Sequence, residues 1–442
     1  MKELTRVAGK VYLEQTVLEA SKERISYIFN EFEHVYFSVS GGKDSGVMVQ
    51  LANEVAKKMN RSFDIFVLDI EAHYDATRLF ITQLEQLSQV NDVYHFCLPF
   101  YEDNNTSILQ TQWLMWDEDN RDKWVQEMPK NAITLNDLDE SLTVYFEKSN
   151  GNPDKFMSYF AKWYKEIKGA DKVACGVGIR ADESLNRFRA IAFGKSLYEG
   201  KKFTTEIRPG VFNFYPIYDY AVEDVWGVTS QMSFQMNEIY ELMYKNGVPL
   251  KSQRICQPYG FQQRQGLDQF AALEPDTWRR VVNRVSGANL GNIYAKTSLL
   301  GHNGSEKPDN MTWQEYTVFL LETLGLYAPE LRDHYHRKIK ILMKYYQQKF
   351  DMEIADMSDA APPKKEQDLD ERKWHNWQGI GKAVEKNDFA FTTRDYGLTK
   401  KDEEELYALH EKFGKVLGIE EKQQRVYHKV HEELKRGSEN DD

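Results

Sequence analysis

Short apolar runs along this 442-residue chain alternate with longer stretches whose apolar residues recur every three or four positions. Runs at Val35–Val39, Asp64–Asp69, Asp92–Cys97 and Lys172–Val177 predict β-strands, and the amphipathic stretches Gly46–Met59, Ala76–Gln89 and Asp154–Ile167 predict helices between them. A helical pattern within residues 1–32 (Val17, Leu18, Ile25, Ile28, Phe29) leads into the first strand. Strands that each return through a helix pair in parallel. The pattern therefore predicts an α/β fold, a doubly wound parallel sheet whose ligands sit at the carboxyl ends of its strands.

Elsewhere the rhythm changes. Residues 113–150, rich in Trp, Asp and Asn, interrupt it and read as an insertion beside the site or as a plain surface excursion. Arg208-Pro209-Gly210 predicts a turn before a strand at Val211–Tyr215, and Ala221 to Trp226 starts a helix with early acids. The expected division is a nucleotide-binding α/β domain over 1–265, a helical extension over 266–350, a Pro- and Lys-bearing linker over 351–373 and a small helical C-terminal module over 374–442.

A hydrophobic content of 41% excludes global disorder. The start of the chain has no secretory pattern and no run of 18 apolar residues occurs, so a soluble cytoplasmic protein without membrane association is expected. Cys97, Cys175 and Cys256 lie too far apart for a disulfide framework and form no C-x-x-C pair. The net charge of -12 disfavours direct nucleic-acid binding. Residues 351–442 hold 23 acidic against 16 basic side chains, which leaves the remainder free to carry a basic cleft.

Chemistry concentrates in the octet Ser38-Val39-Ser40-Gly41-Gly42-Lys43-Asp44-Ser45, between a predicted strand and a predicted helix. Gly41 and Gly42 let the backbone curl so that N–H groups converge on an anion, the helix N-terminus adds partial positive charge, and Lys43 adds a full one. Phe37 and Asp44 break the Walker A pattern. The octet resembles the SGGKDS loop of the N-type ATP pyrophosphatase and sulfonucleotide (PAPS) reductase superfamily. That resemblance implies an adenine nucleotide α-hydrolase-like fold, with Ser38, Ser40, Gly41, Gly42, Lys43, Asp44 and Ser45 on the nucleotide and ATP with Mg²⁺ as ligands.

Three further segments extend the resemblance. Asp69 and Glu71, in a stretch loosely similar to D-x-G-x-x-F-P-E-T, could join Asp44 as magnesium ligands, or one of them could cap the helix beginning near Asp75. Gly176, Gly178, Arg180 and Glu183 match a G-x-R-x-x-E-S element, with Arg180 beside the α-phosphate and Arg187 and Arg189 close behind. Lys251, Arg254 and Arg264 crowd around Cys256 and suggest an anion site that would lower the thiol pKa. With Glu274–Trp278 and Val285–Asn289, this loop resembles a bacterial subfamily bearing a long C-terminal extension, one member of which is an immunoglobulin-binding regulator working beside a ParB-like protein. A protein partner of that kind is implied, and a homo-oligomer stays open.

A sulfonucleotide reductase needs a nucleophilic cysteine on a mobile C-terminal segment, and no cysteine follows Cys256. The resemblance therefore implies adenylyl transfer to an unidentified acceptor with release of pyrophosphate, Lys43, Asp44 and Arg180 forming the catalytic set. Two alternatives remain at this level: PAPS reduction using Cys256, and a non-catalytic nucleotide-binding regulatory subunit.

Overall fold

The computed structural model describes residues 6–7, 10–11, 13–104, 112–192, 196–260, 267–285, 307–327 and 329–385 and the isolated positions 388, 391, 404 and 408. They fall into two compact units, one within Met1–Glu102, Leu114–Pro258 and Gln269–Arg284, the other within Asp103–Trp113, Tyr259–Asp268 and Val285–Asp442.

The first unit runs α1 (Val17–Glu31), β1 (His34–Ser38), α2 (Lys43–Met59), β2 (Phe63–Leu68), α3 (Asp75–Glu85), β3 (Val90–Phe96), α4 (Glu140–Ser149), α5 (Pro153–Ile167), β4 (Val173–Val177) and α6 (Leu185–Ala192). It continues with β5 (Thr204–Arg208), β6 (Val211–Phe214), α7 (Val222–Gln231), α8 (Ile239–Lys245), α9 (Leu267–Leu273) and α10 (Pro275–Arg284). Six strands form one sheet in the order β3-β2-β1-β4-β6-β5, and only the β6–β5 pair is antiparallel. The chain leaves β1 toward β2 and β3 on one side and later returns to place β4 on the other. The crevice beyond β1 and β4 is thus the switch point where open α/β sheets bind ligands.

Both faces of the sheet are covered. Phe37, Phe63, Ile65 and Phe214 pack with Ile25, Ile28 and Phe29 of α1 and Val47, Leu51 and Val55 of α2 in one buried cluster. On the opposite face Tyr36, Phe66 and Phe96 meet Phe156, Phe160 and Tyr164 of α5 edge-on or tilted. Residues alternating along β1 thus serve two cores, as the period of a strand requires. Thr16 and Glu19 close a capping box on α1, and Asn60 ends α2 in the left-handed conformation at φ 50°.

The interruption at 113–150 is docked rather than a free excursion. The main-chain N–H groups of Trp116 and Val125 donate to Glu71 at 2.7 and 3.2 Å. Ile133 exchanges hydrogen bonds with His95 and Cys97 beside β3. Helices α9 and α10 also depart from the expected boundary at 265, because Gln269–Arg284 belongs with the α/β unit. Glu274 accepts hydrogen bonds from Asp75 N and Ala76 N, at 2.8 and 3.2 Å, and so caps α3 from 198 residues away. Phe270 stacks on Tyr74 with ring centroids 3.8 Å apart.

In the second unit, α11 (Trp313–Tyr327), α12 (Pro329–Phe350), α13 (Lys364–Leu369) and α14 (Trp377–Glu385) are described. Leu321, Tyr335, Ile339, Leu342 and Tyr346 share one core with Met357, Trp377, Ile380 and Phe391. That core takes in Met357, Trp377 and Ile380 and so runs across the expected linker, while most of the expected module at 374–442 lies outside the described residues. Asp359 accepts from Trp313 N and Gln314 N at the start of α11, and Ser358 O accepts from Trp377 N. A stretch that its prolines and lysines mark as a spacer is instead the strap joining α11 to α14. Among the described residues no helix is long and apolar enough to cross a membrane.

Candidate functional site

The octet leaves the end of β1 and turns into α2, with Gly41 at φ 71° and Gly42 as the helix N-cap. A side chain at Gly41 would also lie 2.7 Å from Thr77 Cγ2, so glycine is required on both conformational and steric grounds. Asn237 pins the turn by donating to Gly41 O, and Thr77 Oγ1 lies at the same 2.9 Å from its amide. Ser45 Oγ receives the N–H of Ser40 at 3.3 Å and lies 3.2 Å from Ser40 Oγ. Ser38 is the half-buried last residue of β1.

Ser38 pairs with Val177 across the β1–β4 ladder, so the segment after β4 emerges beside the loop. Gly178 lies so near α2 that a Cβ there would stand 2.9 Å from Ser45 Cα. Two residues on, buried Arg180 donates from Nε to Asp44 Oδ1 at 2.6 Å and from Nη1 to Tyr220 O at 3.4 Å. The other Asp44 oxygen lies 3.2 Å from Lys43 Nζ. Lys43 Nζ also donates to Gln253 O at 3.4 Å and sits 5.3 Å from the centroid of the Tyr240 ring. Tyr240 Oη accepts from Lys43 N.

Further cations face the same place. Arg254 is exposed and donates to Glu183 O at 3.2 Å, while Arg187 pairs with the Glu183 carboxylate. Burial, together with the Arg180 and Arg254 charges and against the pull of Asp44, holds Lys43 below the usual lysine range. Arg187 is likewise lowered by burial and by those same two arginines, again against Asp44. Four cations that feel one another against the two carboxylates of Asp44 and Glu183 make a site with surplus positive charge in an acidic chain. Such a site favours a polyanion.

The structure thus brings together Ser40, Gly41, Gly42, Lys43, Asp44, Ser45, Gly178, Arg180, Glu183 and Arg254, whereas Arg264 lies outside the described residues. Asp69 and Glu71 depart from the expected magnesium role. Both Glu71 oxygens are taken by Arg284, at 2.7 and 3.1 Å, and by the two main-chain N–H groups noted above; neither side chain of the Glu71–Arg284 pair is exposed. Asp69 binds the N–H of Glu71 through one oxygen and His95 Nε2 through the other. Neither of them caps α3, since Glu274 does.

The cysteines also correct one expectation. Burial outweighs Arg254 at Cys256 and pushes its thiol up to about 11, rather than down. Burial raises Cys97 and takes Cys175 up to about 12, in keeping with core positions. Sequence reading missed Tyr240, Asn237, Arg284 and Glu274, which meet partners more than 150 residues away. Arg187 carried a signal, standing seven residues after Arg180 on the next helix.

A mostly parallel sheet with a Gly-Gly-Lys-Asp loop at its switch point defines an α/β protein of the doubly wound class, with an anion-favouring turn at its strand ends. The model of the phosphoadenosine phosphosulfate reductase domain matches residues 34–246, and that of a domain of unknown function, DUF3440, matches 247–359. The Escherichia coli (strain K12) protein titled "Uncharacterized protein YbdN" is 34% identical over 405 residues, 90% of this chain and 95% of that one. The chain belongs to this family, in which a phosphoadenosine phosphosulfate reductase domain is followed by the DUF3440 extension. Among solved structures, phosphoadenylyl-sulfate reductase from Candida auris in a phosphate complex is 15% identical, covering 53% of this chain and 94% of that one, with a TM-score of 0.28. The NH3-dependent NAD synthetase from Campylobacter jejuni, in complex with nitrate, is 10% identical and covers 67% of this chain and all of that one, with a TM-score of 0.26.

Proposed function

We propose that the loop Ser38–Ser45 binds the β- and γ-phosphates of ATP and that the protein transfers the adenylyl group to an acceptor with release of pyrophosphate. The observation that carries this reading is the convergence of Lys43, Arg180, Arg187 and Arg254 near the N-terminal end of α2, where Asp44 and Glu183 offset only half of their charge. An acceptor nucleophile attacks the α-phosphorus, the bond to the α,β-bridging oxygen breaks, and the electron pair leaves with pyrophosphate. Arg180 stands at the β4 end of the loop, where its charge would stabilise the α-phosphate as negative charge builds there. Lys43 and the loop N–H groups would hold the leaving pyrophosphate.

Of the three carboxylates expected to hold magnesium, Asp44 stands at the loop itself, whereas Glu71 is paired with Arg284 and Asp69 lies among histidine and cysteine donors that magnesium does not favour. Magnesium arriving with the phosphates would neutralise charge on the leaving group. Lys43 and Arg180 hold the Asp44 carboxylate, and phosphates at the loop would draw both cations to themselves. PAPS reduction is disfavoured by the raised Cys256 thiol, which lacks the thiolate character of an attacking cysteine.

The test is incubation of the full chain with ATP and Mg²⁺ and chromatographic separation of products. AMP and pyrophosphate, formed by wild type and lost in Arg180→Ala, are expected. ADP and phosphate as the main products would overturn the reading, as would thiol-dependent sulfite release from a sulfated adenine nucleotide.

A further inference from the structure

At the carboxyl ends of β2 and β3 a second cluster stands apart from the phosphate loop. Asp69 directly follows β2, Cys97 directly follows β3, and His95 lies within β3 in register with Val67. All three are buried, and a carboxylate oxygen, a ring nitrogen and Cys97 Sγ lie within 4.8 Å of one another. Four residues after Asp69, His73 brings Nε2 to 3.8 Å from Asp69 Oδ1. His73 is only 8% exposed, and this nitrogen has no hydrogen-bond partner.

His95 stands between two carboxylates. Its Nδ1 lies 2.5 Å from Glu85 Oε1 at the end of α3, and its Nε2 lies 3.1 Å from Asp69 Oδ2. Against burial, these two neighbours push the ring up to about 9. A metal ion entering beside Asp69 would displace the proton on Nε2, and Glu85 would remain as the outer partner of Nδ1.

We infer that Asp69, His73, His95 and Cys97 form a binding site for a divalent transition-metal ion of zinc's kind, with Glu85 orienting His95 from outside. Asp69, His95 and Cys97 supply three clustered donors, and His73, whose Nε2 meets Asp69 but stands outside that cluster, would move in as the fourth of a borderline-soft tetrahedral set. Magnesium, which takes oxygen ligands in an octahedron, does not match it. The ordinary alternative is a buried hydrogen-bond network. Such a network leaves the buried His73 Nε2 unsatisfied, which coordination would remedy.

The ligands arrive as Asp69-x3-His73 and His95-x-Cys97, one pair from each strand end, which is why a search for C-x-x-C finds nothing. Binding would release the Cys97 thiol proton. Four protein donors leave no open position, so the ion would tie β2 to β3 rather than act on substrate.

The experiment is titration of the metal-stripped chain with Co²⁺, and separately Zn²⁺, both folded and during refolding. We expect one ion per chain, tetrahedral d–d bands and a thiolate-to-cobalt charge-transfer band. That band should persist when Cys175→Ser and Cys256→Ser leave Cys97 as the sole thiol, and vanish in Cys97→Ser. Glu85→Gln should weaken binding about 10–100-fold, as loss of an outer partner of a ligating histidine does. Absence of metal binding by wild type in either protocol would overturn the inference. So would a cobalt spectrum unchanged by Cys97→Ser or lost with the other two thiols.

Discussion

Lys43 and Asp44 act as one charge pair at the mouth of α2, so removing either should be felt by a bound nucleotide. Lys43→Ala should weaken ATP binding by roughly 1.5–3 kcal/mol, the value of a charge-assisted contact, measured by calorimetry with Mg²⁺ present. Equal affinity in variant and wild type would remove the loop from the site. Cys256 gives a prediction of opposite sense. Its pKa of about 11 leaves about two orders of magnitude less thiolate at neutral pH than a cysteine near 8.5. Because thiolate is the reacting species, alkylation of Cys256 should be slow at pH 7 and rise about tenfold per pH unit until it levels near the pKa. Mass spectrometry of the labelled peptide would record that profile, and Cys256→Ser should leave pyrophosphate release intact. At this scale the octet and Arg180 were legible because their chemistry is written locally, in glycines and charges at strand ends. Glu71 was not, because the cation that claims it, Arg284, stands 213 residues away.

The strands and helices of the parallel sheet were legible to within a few residues, because apolar runs and helical periodicity are the direct trace of burial on two faces. The edge strand β5 was not. Thr204-Thr205-Glu206-Ile207-Arg208 has no apolar run, since an edge needs little burial. The strap over 351–373 was misread for the converse reason: its composition is that of a spacer, yet Asp359 and Met357 anchor it. Two elements give testable consequences. Glu274→Ala removes both bonds to the first turn of α3 and should cost about 0.5–2 kcal/mol in a denaturant melt, the range for loss of a helix cap. Gly178→Ala would force a methyl against the Ser45 backbone. The α2 N-terminus would have to shift, and ATP affinity should fall while far-ultraviolet circular dichroism stays unchanged.

The core of the second unit is not closed until α14 is in place. Truncation after Pro362 removes Trp377, Ile380 and Phe391 from the core around Tyr335 and Leu342. Hydrogen exchange should then show α11 and α12 losing protection, and Trp377→Ala alone should cost about 3–5 kcal/mol, as deletion of a large buried aromatic does. In the first unit, Arg284 brings to Glu71 the only side-chain cation that its carboxylate meets among the described residues. That ion pair has a consequence for synthesis. As the chain emerges from a ribosome, β1 to β4 and the complete phosphate loop are available long before residue 284. Until then the loop between β2 and α3 holds a carboxylate with no cation to accompany it into the interior. The segment that supplies that cation lies beyond the end of the reductase-domain match at residue 246. A gene split at that boundary would thus yield a protein without Arg254 beside the loop, without the Glu274 cap of α3 and with Glu71 lacking its guanidinium.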